Sequence, residues 1–291
     1  MRNRWTGYLL LATAVLFWSW IGIIGKYLYA YGMPPLTAVT FRVLFAWGFL
    51  LPYTLARGGG LRVPLARVLG LVLYGLVAVV ANYVCYFYAL KYLSVAAAVI
   101  LIYTNPALVI LLSWPVLRER PTKGELAALV LTLGGVFLVA QGYAPGKLVL
   151  NWKGVLFALA TAGSIAVYNL AGRRYVRELD PWLVLSYGLL FGGALLASWW
   201  LATGDRTLAY PLPAWGLVLA LGLFPTLLGY GLYLGALRHL RVGHAAIAAT
   251  AEPFLATLWA MSLLGERLEP LQILGGLLVW GTAWGLQFHS R

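Results

Sequence analysis

The sequence predicts an all-α integral membrane protein whose ten transmembrane helices form two inverted five-helix repeats. Hydrophobic residues make up 62% of the chain and charged residues 10%, and the mean hydropathy is +0.85, whereas soluble domains carry about 25% charge. The chain also repeats itself at an offset of 147 residues. Lysine and arginine, finally, concentrate in alternate loops between the apolar runs. Together these observations predict a chain that is integrated into the membrane throughout.

The apolar runs are long enough, at about 20 residues, to cross a hydrocarbon core of roughly 30 Å. Helices are the predicted form, because lipid offers no partner for unpaired backbone groups. The predicted spans are 5–26, 35–56, 68–90, 94–117, 124–141, 152–173, 181–203, 213–236, 243–264 and 270–288. The first repeat is predicted to cover residues 1–143, with spans one to five, and the second repeat residues 144–291, with spans six to ten.

The internal repeat carries the first indication of function. Tyr83 pairs with Tyr230 and Tyr86 with Tyr233 at the same offset, and many flanking positions agree as well. An odd number of spans in each copy means that the second copy enters the bilayer from the opposite side. Inverted repeats of this kind are typical of secondary transporters, which place the solute site near the midplane between the repeats. The pattern therefore indicates a carrier.

Basic residues predict the orientation in the membrane. If the N-terminus is inside, the predicted cytoplasmic loops and termini hold 14 of the 21 lysines and arginines and the other side holds 6, with Arg42 inside span two. This asymmetry places both termini in the cytoplasm. It also accounts for the formal net charge of +13 without a nucleic-acid partner. The lone cysteine, Cys85, excludes an intramolecular disulfide.

Two proline-containing positions predict where the helices open. Pro106 in span four and Pro253 in span nine are repeat mates at mid-depth. Each proline lacks an N–H and is expected to free the carbonyl four residues earlier, at Ile102 and Ala249. We predict helix breaks with a gating role at both prolines; the alternative is that they only kink the helices for packing.

A polar residue precedes each proline, Asn105 in span four and Glu252 in span nine. Glu252 is the one acid predicted at mid-span, where a carboxylate costs about 2.5–3.5 kcal/mol, so it should face a cavity, find a partner or stay protonated. It is predicted to carry protons or to balance a cationic group of the solute. A protonated glutamic acid bonded to a neighbouring helix is the structural alternative.

Aromatic and amide side chains at mid-depth predict the wall of a pocket, because aromatic belts explain tyrosines only at the membrane interfaces. With Asn105 and Glu252, the predicted substrate-binding residues are Trp18, Asn82, Tyr83, Tyr86, Tyr103, Tyr168, Asn169, Tyr187, Tyr230 and Tyr233. Helix packing with a hydrogen-bonded hydroxyl is the alternative for each tyrosine.

Three further polar residues have weaker predicted roles. His244 is a candidate to pass protons toward Glu252, although a solvated histidine at a helix start is an alternative. Arg42 is expected to snorkel outward, and Lys26 is expected to lie at the interface.

Several chemistries have no motif in the chain. A phosphate-binding GxxxxGK[ST] loop, an HExxH zinc helix and a GxSxG elbow are absent from the sequence, so no enzyme activity, cofactor or metal is predicted. The expected partners are a small-molecule solute, membrane lipid and protons as a coupling ion, with no nucleic acid. The chain is expected to be a monomer or a weak dimer, because GxxxG spacings alone prove no dimer.

Several segments carry a resemblance to a known family. They are Phe41-Arg42-Val43-Leu44-Phe45-Ala46, Asn105-Pro106 with Arg118-Glu119-Arg120, and Glu252-Pro253 with Leu264-Gly265-Glu266-Arg267. With the ten-span pattern, they resemble the EamA branch of the drug/metabolite transporter superfamily over essentially the whole chain. In the first half, Arg118 stands where glycine is usual.

The resemblance implies alternating access around a central cavity in the cytoplasmic membrane of a bacterium or archaeon. Many members export amino acids and related metabolites, and some import small solutes such as choline. We expect an exporter of amino acids with aromatic or apolar side chains, or of related metabolites. An organic-cation carrier with an aromatic cage and Glu252 is the alternative, and a membrane scaffold without a transport cycle is a third hypothesis. Proton antiport through Glu252 and facilitated diffusion both remain open.

Overall fold

The computed structural model describes residues 4–56, 63–93, 95–144, 146, 151–203, 207–264 and 269–288. Over these ranges the chain forms helices and turns and no β-strand. The helices of the first half are α1 (Arg4–Trp18), α2 (Ile21–Ala30), α3 (Pro35–Ala56), α4 (Leu65–Gly75), α5 (Asn82–Tyr92), α6 (Val95–Ile102), α7 (Asn105–Leu117) and α8 (Lys123–Val139). Those of the second half are α9 (Trp152–Tyr175), α10 (Pro181–Thr203), α11 (Leu212–Leu221), α12 (Tyr230–Ala236), α13 (Val242–Ala249), α14 (Glu252–Leu264) and α15 (Pro270–Phe288).

Eight helical segments of the described chain are long and apolar enough to cross a membrane, which makes this a multi-pass membrane protein. They are Arg4–Ala30, Pro35–Ala56, Arg67–Tyr86, Ala97–Leu117, Trp152–Tyr175, Pro181–Thr203, Leu212–Ala236 and Val242–Leu263. The helices at the predicted fifth and tenth spans are shorter, with 17 residues in α8 and 19 in α15. The count of ten spans and the inverted arrangement stay predictions.

The first span differs from the continuous helix predicted over 5–26. It runs on to Ala30 and is divided by a turn at Ser19 and Trp20. The hydroxyl of Ser19 donates to the carbonyl of Leu16 at 2.7 Å, and such local side-chain bonds compete with the helical backbone pattern. No proline marks this break, so the apolar pattern alone reads as one uninterrupted helix.

Two π-helical segments interrupt other spans. Leu76–Ala81 joins α4 to α5, and Gly222–Gly229 joins α11 to α12. The two segments overlap when the chain is shifted by the predicted 147 residues. In the second segment, Thr226 donates its hydroxyl to the carbonyl of Leu221 at 2.8 Å, which satisfies a backbone group near Pro225. Single π-helical turns within α-helices often occur at functional sites.

Spans four and nine are broken just before their prolines. Turns at Tyr103–Thr104 and Thr250–Ala251 separate α6 from α7 and α13 from α14. The expectation that the Ile102 carbonyl would be left open is wrong, because the side-chain amide of Asn105 donates to it at 3.0 Å. In the first half, therefore, the side-chain amide of Asn105 satisfies the backbone carbonyl that the helix break would leave unpaired.

The end of α7 explains an unusual residue in the sequence. Arg118 follows the helix with φ 60° and ψ 25°, in the left-handed region. This conformation costs about 1–2 kcal/mol for a residue other than glycine, which is the physical reason why glycine suits the position. The predicted mate of Arg118 in the second half, Gly265, lies outside the described residues.

Helices α8 and α15 approach each other at two glycines. A Cβ at Gly275 would lie 2.6 Å from the carbonyl oxygen of Gly135, and a Cβ at Gly135 would lie 2.8 Å from the carbonyl oxygen of Gly275. Near this crossing, the hydroxyls of Thr132 and Thr282 lie 3.0 Å apart. Because backbone meets backbone, neither helix can accept a larger residue at these positions without moving.

We therefore expect Gly275→Ala to destabilise the protein by about 1–3 kcal/mol, as overpacking does in other cores. Gly281→Ala on the same helix is the matched control, since a Cβ there meets nothing within 4 Å. The measurement is the melting temperature of the monodisperse peak in detergent. Equal melting temperatures for the two variants would contradict the close approach of α8 and α15.

Candidate substrate cavity

A cavity of about 820 Å³ lies between the two halves of the chain. Among its walls are the broken first span, α3, α5, the α6–α7 and α13–α14 breaks, α9 and α12. All but one of the predicted substrate-contacting residues line it: Trp18, Asn82, Tyr83, Tyr86, Tyr103, Asn105, Tyr168, Asn169, Tyr230, Tyr233 and Glu252. Pro253 also lines it, whereas Pro106 does not. The structure thus brings together most of the residues that sequence position alone placed at mid-depth.

An aromatic cluster forms one wall of this cavity. The Trp18 ring lies 5.0 Å from the ring of Tyr230 and 5.0 Å from that of Tyr233. Its indole N–H donates to the carbonyl of Pro225 at 3.1 Å, inside the second π-helical segment. The ring of Tyr168 packs against Tyr230 at 5.4 Å, nearly edge to face. These contacts hold the rings in fixed positions around the cavity.

Some of the polar groups in this wall already have partners in the protein. Tyr168 donates its hydroxyl to the carbonyl of Tyr230 at 3.1 Å. Tyr233 donates to the side-chain carbonyl of Asn169, whose amide donates to Ile165 at 2.8 Å. The bonds from Tyr168 and Tyr233 join neighbouring helices, as the helix-packing alternative expects, while the same residues also line the cavity.

Arg42 is a cavity residue that the sequence interpretation misplaced. It was expected to snorkel outward, but its side chain is 5% exposed and lines the cavity. Its Nη2 donates to the Tyr83 hydroxyl at 2.5 Å, its guanidinium carbon lies 4.5 Å from the Tyr83 ring centroid, and it also hydrogen-bonds Tyr230. Position 189, its mate under the repeat, is a leucine, so the repeat gave no indication of a site here.

Other residues of the wall were not singled out from the sequence, or were given another role. Lys26, expected at the interface, is exposed and lines the mouth of the cavity together with Tyr29. Small polar side chains complete the wall, and they were overlooked because isolated hydroxyls and amides are common in membrane helices. They are Ser19, Gln141, Thr161, Thr250 and Thr257.

Glu252 meets two of the three conditions set for a mid-span carboxylate. It is half-buried, lines the cavity and hydrogen-bonds the hydroxyl of Tyr103 from the opposite half of the chain. It is also the first residue of α14, where the positive end of the helix dipole favours a negative charge. Arg42 lies within electrostatic range of this carboxyl group. The cavity therefore carries one buried cation and one acid.

Two of the sequence candidates lie outside the cavity wall. The Tyr187 ring packs 5.9 Å from Phe191 on the same helix, α10. His244 is buried, with Nδ1 3.4 Å from the Tyr8 hydroxyl and Nε2 3.5 Å from a carboxylate oxygen of Glu125. The alternative of a solvated histidine is therefore wrong. Within the described chain, no hydrogen bond joins His244 to Glu252.

His244 belongs to an ionic cluster that we define as Glu119, Glu125, Arg173, Arg241 and His244. Glu119 accepts from Arg173 at 3.2 Å and from the backbone N–H of Val242 at 3.2 Å. The two oxygens of Glu125 each accept from Arg241 at 3.2 Å. The cluster ties together the end of α7, the starts of α8 and α13, and the end of α9.

The ionic cluster and the cavity lie at opposite ends of shared helices. Helix α8 begins beside the cluster with Glu125 and ends at Val139, which lines the cavity. A small apolar layer of Ile110, Ala128 and Ile247 packs against the same helix ends, next to Glu125. The ionic cluster and the cavity therefore lie at different depths of the protein, with the exposed Lys26 among the cavity-lining residues.

Comparison with known proteins identifies the family. The sequence model of the EamA-like transporter family matches residues 5–141 and again residues 152–286. This chain belongs to the EamA-like transporter family. The two matches cover the cavity residues of both halves and the ionic cluster.

Relatives of this EamA-like transporter are transporters by name. An uncharacterised transporter of Archaeoglobus fulgidus is 28% identical over 268 residues, with 92% of each chain covered. The pseudopaline exporter CntI of Pseudomonas aeruginosa is 30% identical over 249 residues, covering 85% of this chain and 84% of its own. A crystal structure superposes with a TM-score of 0.82 at 25% identity, covering 97% of both chains. The crystal structure thus shares the fold of this chain, and the two relatives are named as a transporter and an exporter.

The ionic cluster generates a prediction about closure. Glu119→Gln should weaken the packing of the four helix ends that the ionic cluster joins, because removing one partner of a buried ion pair leaves the charge of Arg173 uncompensated. In a Cys85→Ser background, we expect Ala128→Cys to react several-fold faster with a maleimide when Glu119→Gln is added. Glu178→Gln is the matched control, since its ion pair with Arg67 is exposed. Equal labelling rates in all three proteins would contradict a closing role for the cluster.

Proposed function

We propose that this EamA-like transporter is a secondary carrier that exports amino acids with aromatic or apolar side chains, or closely related metabolites, by alternating access. The observation that carries the proposal is the cavity between the halves, which combines an aromatic wall with one acid and one buried cation. Its volume of about 820 Å³ falls in the range of roughly 300–1,000 Å³ that is usual for small-molecule sites. The aromatic cluster suits an apolar side chain, and the charges suit an amine and a carboxylate.

Reciprocal contacts between the halves support the alternating-access part of the proposal. A Cβ at Gly7 would lie 2.8 Å from the Leu240 side chain, and a Cβ at Gly154 would lie 2.6 Å from the Leu93 side chain. Under the offset of 147 residues these are one contact with the halves exchanged. We take 1–143 and 144–291 as the two inverted repeats, so that rocking one against the other moves the opening from one side to the other.

The proposed orientation follows from the basic residues, which favour cytoplasmic termini. With the start of α1 inside, the ionic cluster closes the cytoplasmic end and the cavity faces outward across a bacterial or archaeal cytoplasmic membrane. Export is supported by the Pseudomonas aeruginosa relative, which is named as a pseudopaline exporter.

An organic-cation carrier is the second candidate. Aromatic faces attract quaternary ammonium groups by about 0.5–2 kcal/mol each, and Glu252 would supply the opposite charge. Arg42 argues against this candidate, because it places a positive charge in the same cavity. The amino-acid proposal uses both charges.

Ligand-induced stabilisation tests the solute class. A solute that binds only the folded protein raises its melting temperature by an amount that grows with concentration. We expect phenylalanine, tyrosine and leucine to stabilise the purified protein and to drive counterflow in proteoliposomes, and choline to do neither. Stabilisation and counterflow by choline alone would overturn the exporter proposal in favour of the cation carrier.

The coupling role of Glu252 has its own test. If this carboxyl group carries the coupling proton, Glu252→Gln should abolish the response of transport to an imposed pH gradient. Counterflow at equal pH should continue at a raised solute concentration, because the amine of the solute loses one partner but the carboxylate keeps its own. Glu269→Gln is the control, because Glu269 lies outside the cavity wall, bonded to Tyr143. A response that persists in Glu252→Gln removes this residue from coupling, and no response in the unmodified protein would support facilitated diffusion.

A further inference from the structure

We infer that Arg42 binds the carboxylate of the transported solute, so that the substrates are amphoteric molecules that carry both a carboxylate and an amine. This inference rests on the proposed function and names the group that selects within it. It starts from a buried guanidinium that forms no ion pair with any described carboxylate.

Two arginine side chains are buried in the described part of the chain, Arg42 and Arg173. Arg173 is paired with the Glu119 carboxylate at 3.2 Å. No carboxylate oxygen of the described residues lies within 4.0 Å of a guanidinium nitrogen of Arg42, the distance that defines an ion pair. A buried charge is costly unless it is paired, so the guanidinium of Arg42, which forms no ion pair with a described carboxylate, is suited to bind a carboxylate of the solute.

The hydrogen bonds of Arg42 leave room for such an anion. The guanidinium bonds the neutral phenols of Tyr83 and Tyr230, which orient it without cancelling its charge. Its Nε is buried and has no hydrogen-bond partner. A guanidinium presents a planar fork of donors that matches the two oxygens of a carboxylate.

The position of Arg42 is fixed before a solute arrives. Its guanidinium carbon stands 4.5 Å from the centroid of the Tyr83 ring, which is the geometry of a cation–π contact. Both residues line the cavity. Little side-chain freedom is then lost when a carboxylate binds, which favours affinity.

Glu252 supplies the opposite pole for the amine. Its carboxyl group lies within electrostatic range of Arg42 and is hydrogen-bonded by Tyr103. The rings of Trp18 and Tyr230, whose centroids are 5.0 Å apart, line the same cavity. A solute with both charges and an aromatic or apolar side chain therefore meets a complementary surface at three points. A solute with only a cationic group leaves Arg42 unbalanced.

The test compares L-phenylalanine with two analogues that lack the carboxylate charge, phenethylamine and L-phenylalaninamide. Binding is measured as ligand-induced stabilisation, and transport as counterflow in proteoliposomes. We expect phenylalanine to bind at least about tenfold more tightly than either analogue, since truncating one partner of a buried charge pair costs at least that factor. In Arg42→Gln this preference should vanish, with phenylalanine weakened and the analogues unchanged or improved.

Two further variants separate recognition from folding. Arg42→Lys keeps the charge but loses the planar fork, so it should retain part of the preference. Lys153→Gln removes the same charge from an exposed residue at the start of α9 that does not line the cavity and should leave the preference intact. An Arg42→Gln protein that is folded by its elution profile and melting curve, yet still prefers phenylalanine, overturns the inference.

The outcomes for this inference and for the proposed function are distinct. Equal binding and counterflow of phenylalanine and phenylalaninamide by the unmodified protein overturn the role of Arg42 and leave the amino-acid exporter standing. Counterflow of phenethylamine without phenylalanine overturns the exporter, and the inference with it. No response to any of the three probes also overturns both.

Discussion

Backbone hydrogen bonding inside the hydrocarbon constrains every other feature of this molecule. Lipid supplies no donors or acceptors, so a span is stable only while its amides pair within the protein. Five spans nevertheless depart from the α-helical pattern, at the Ser19–Trp20 turn, in two π-helical segments and at the turns before Asn105 and Glu252. Residues at or beside all five interruptions line the cavity, where polar groups can be satisfied by side chains or by solute. The cavity is thus the place where irregular backbone is tolerated.

The buried charged residues of the described chain lie in two places, the ionic cluster and the cavity, and only those of the cluster form ion pairs with one another. In the ionic cluster, acids and bases bond one another and join the ends of four helices, with Glu119 bonded to both Arg173 and Val242. In the cavity, Arg42 hydrogen-bonds the phenols of Tyr83 and Tyr230, and Glu252 hydrogen-bonds Tyr103. Paired charges suit a closure that must be stable in one state, whereas incompletely paired charges suit a site that is completed by its ligand. The same residue types therefore serve different purposes at the two depths.

Much of this site could be predicted from sequence because membrane depth is readable from position along a span. Glu252 stood out as the mid-span acid, and the tyrosines stood out because interfacial belts do not extend to mid-depth. Position along a helix, however, does not say which way a side chain points. Arg42 was expected to reach outward but lines the cavity. Tyr187 sits at a suitable depth yet packs beside Phe191 and against the hydrophobic core, outside the cavity wall.

Local bonding was the other property that the sequence could not supply. The break at Ser19 and the capping of the Ile102 carbonyl by Asn105 both depend on hydrogen bonds of single side chains. Apolar periodicity does not record these bonds. The buried contacts of His244 depend on Tyr8 and Glu125, which come from distant parts of the chain. Such contacts follow from how the spans pack and not from any one of them.

Arg42 belongs to the first half of the chain and Glu252 to the second, and both line the cavity. A solute that engages both would act as a removable cross-link between the halves. Its occupancy would set how firmly the halves are held together as they rock, and an empty carrier would lack that tie. The bound solute would then contribute to the stability of the contact between the two halves, as well as being the molecule that is transported.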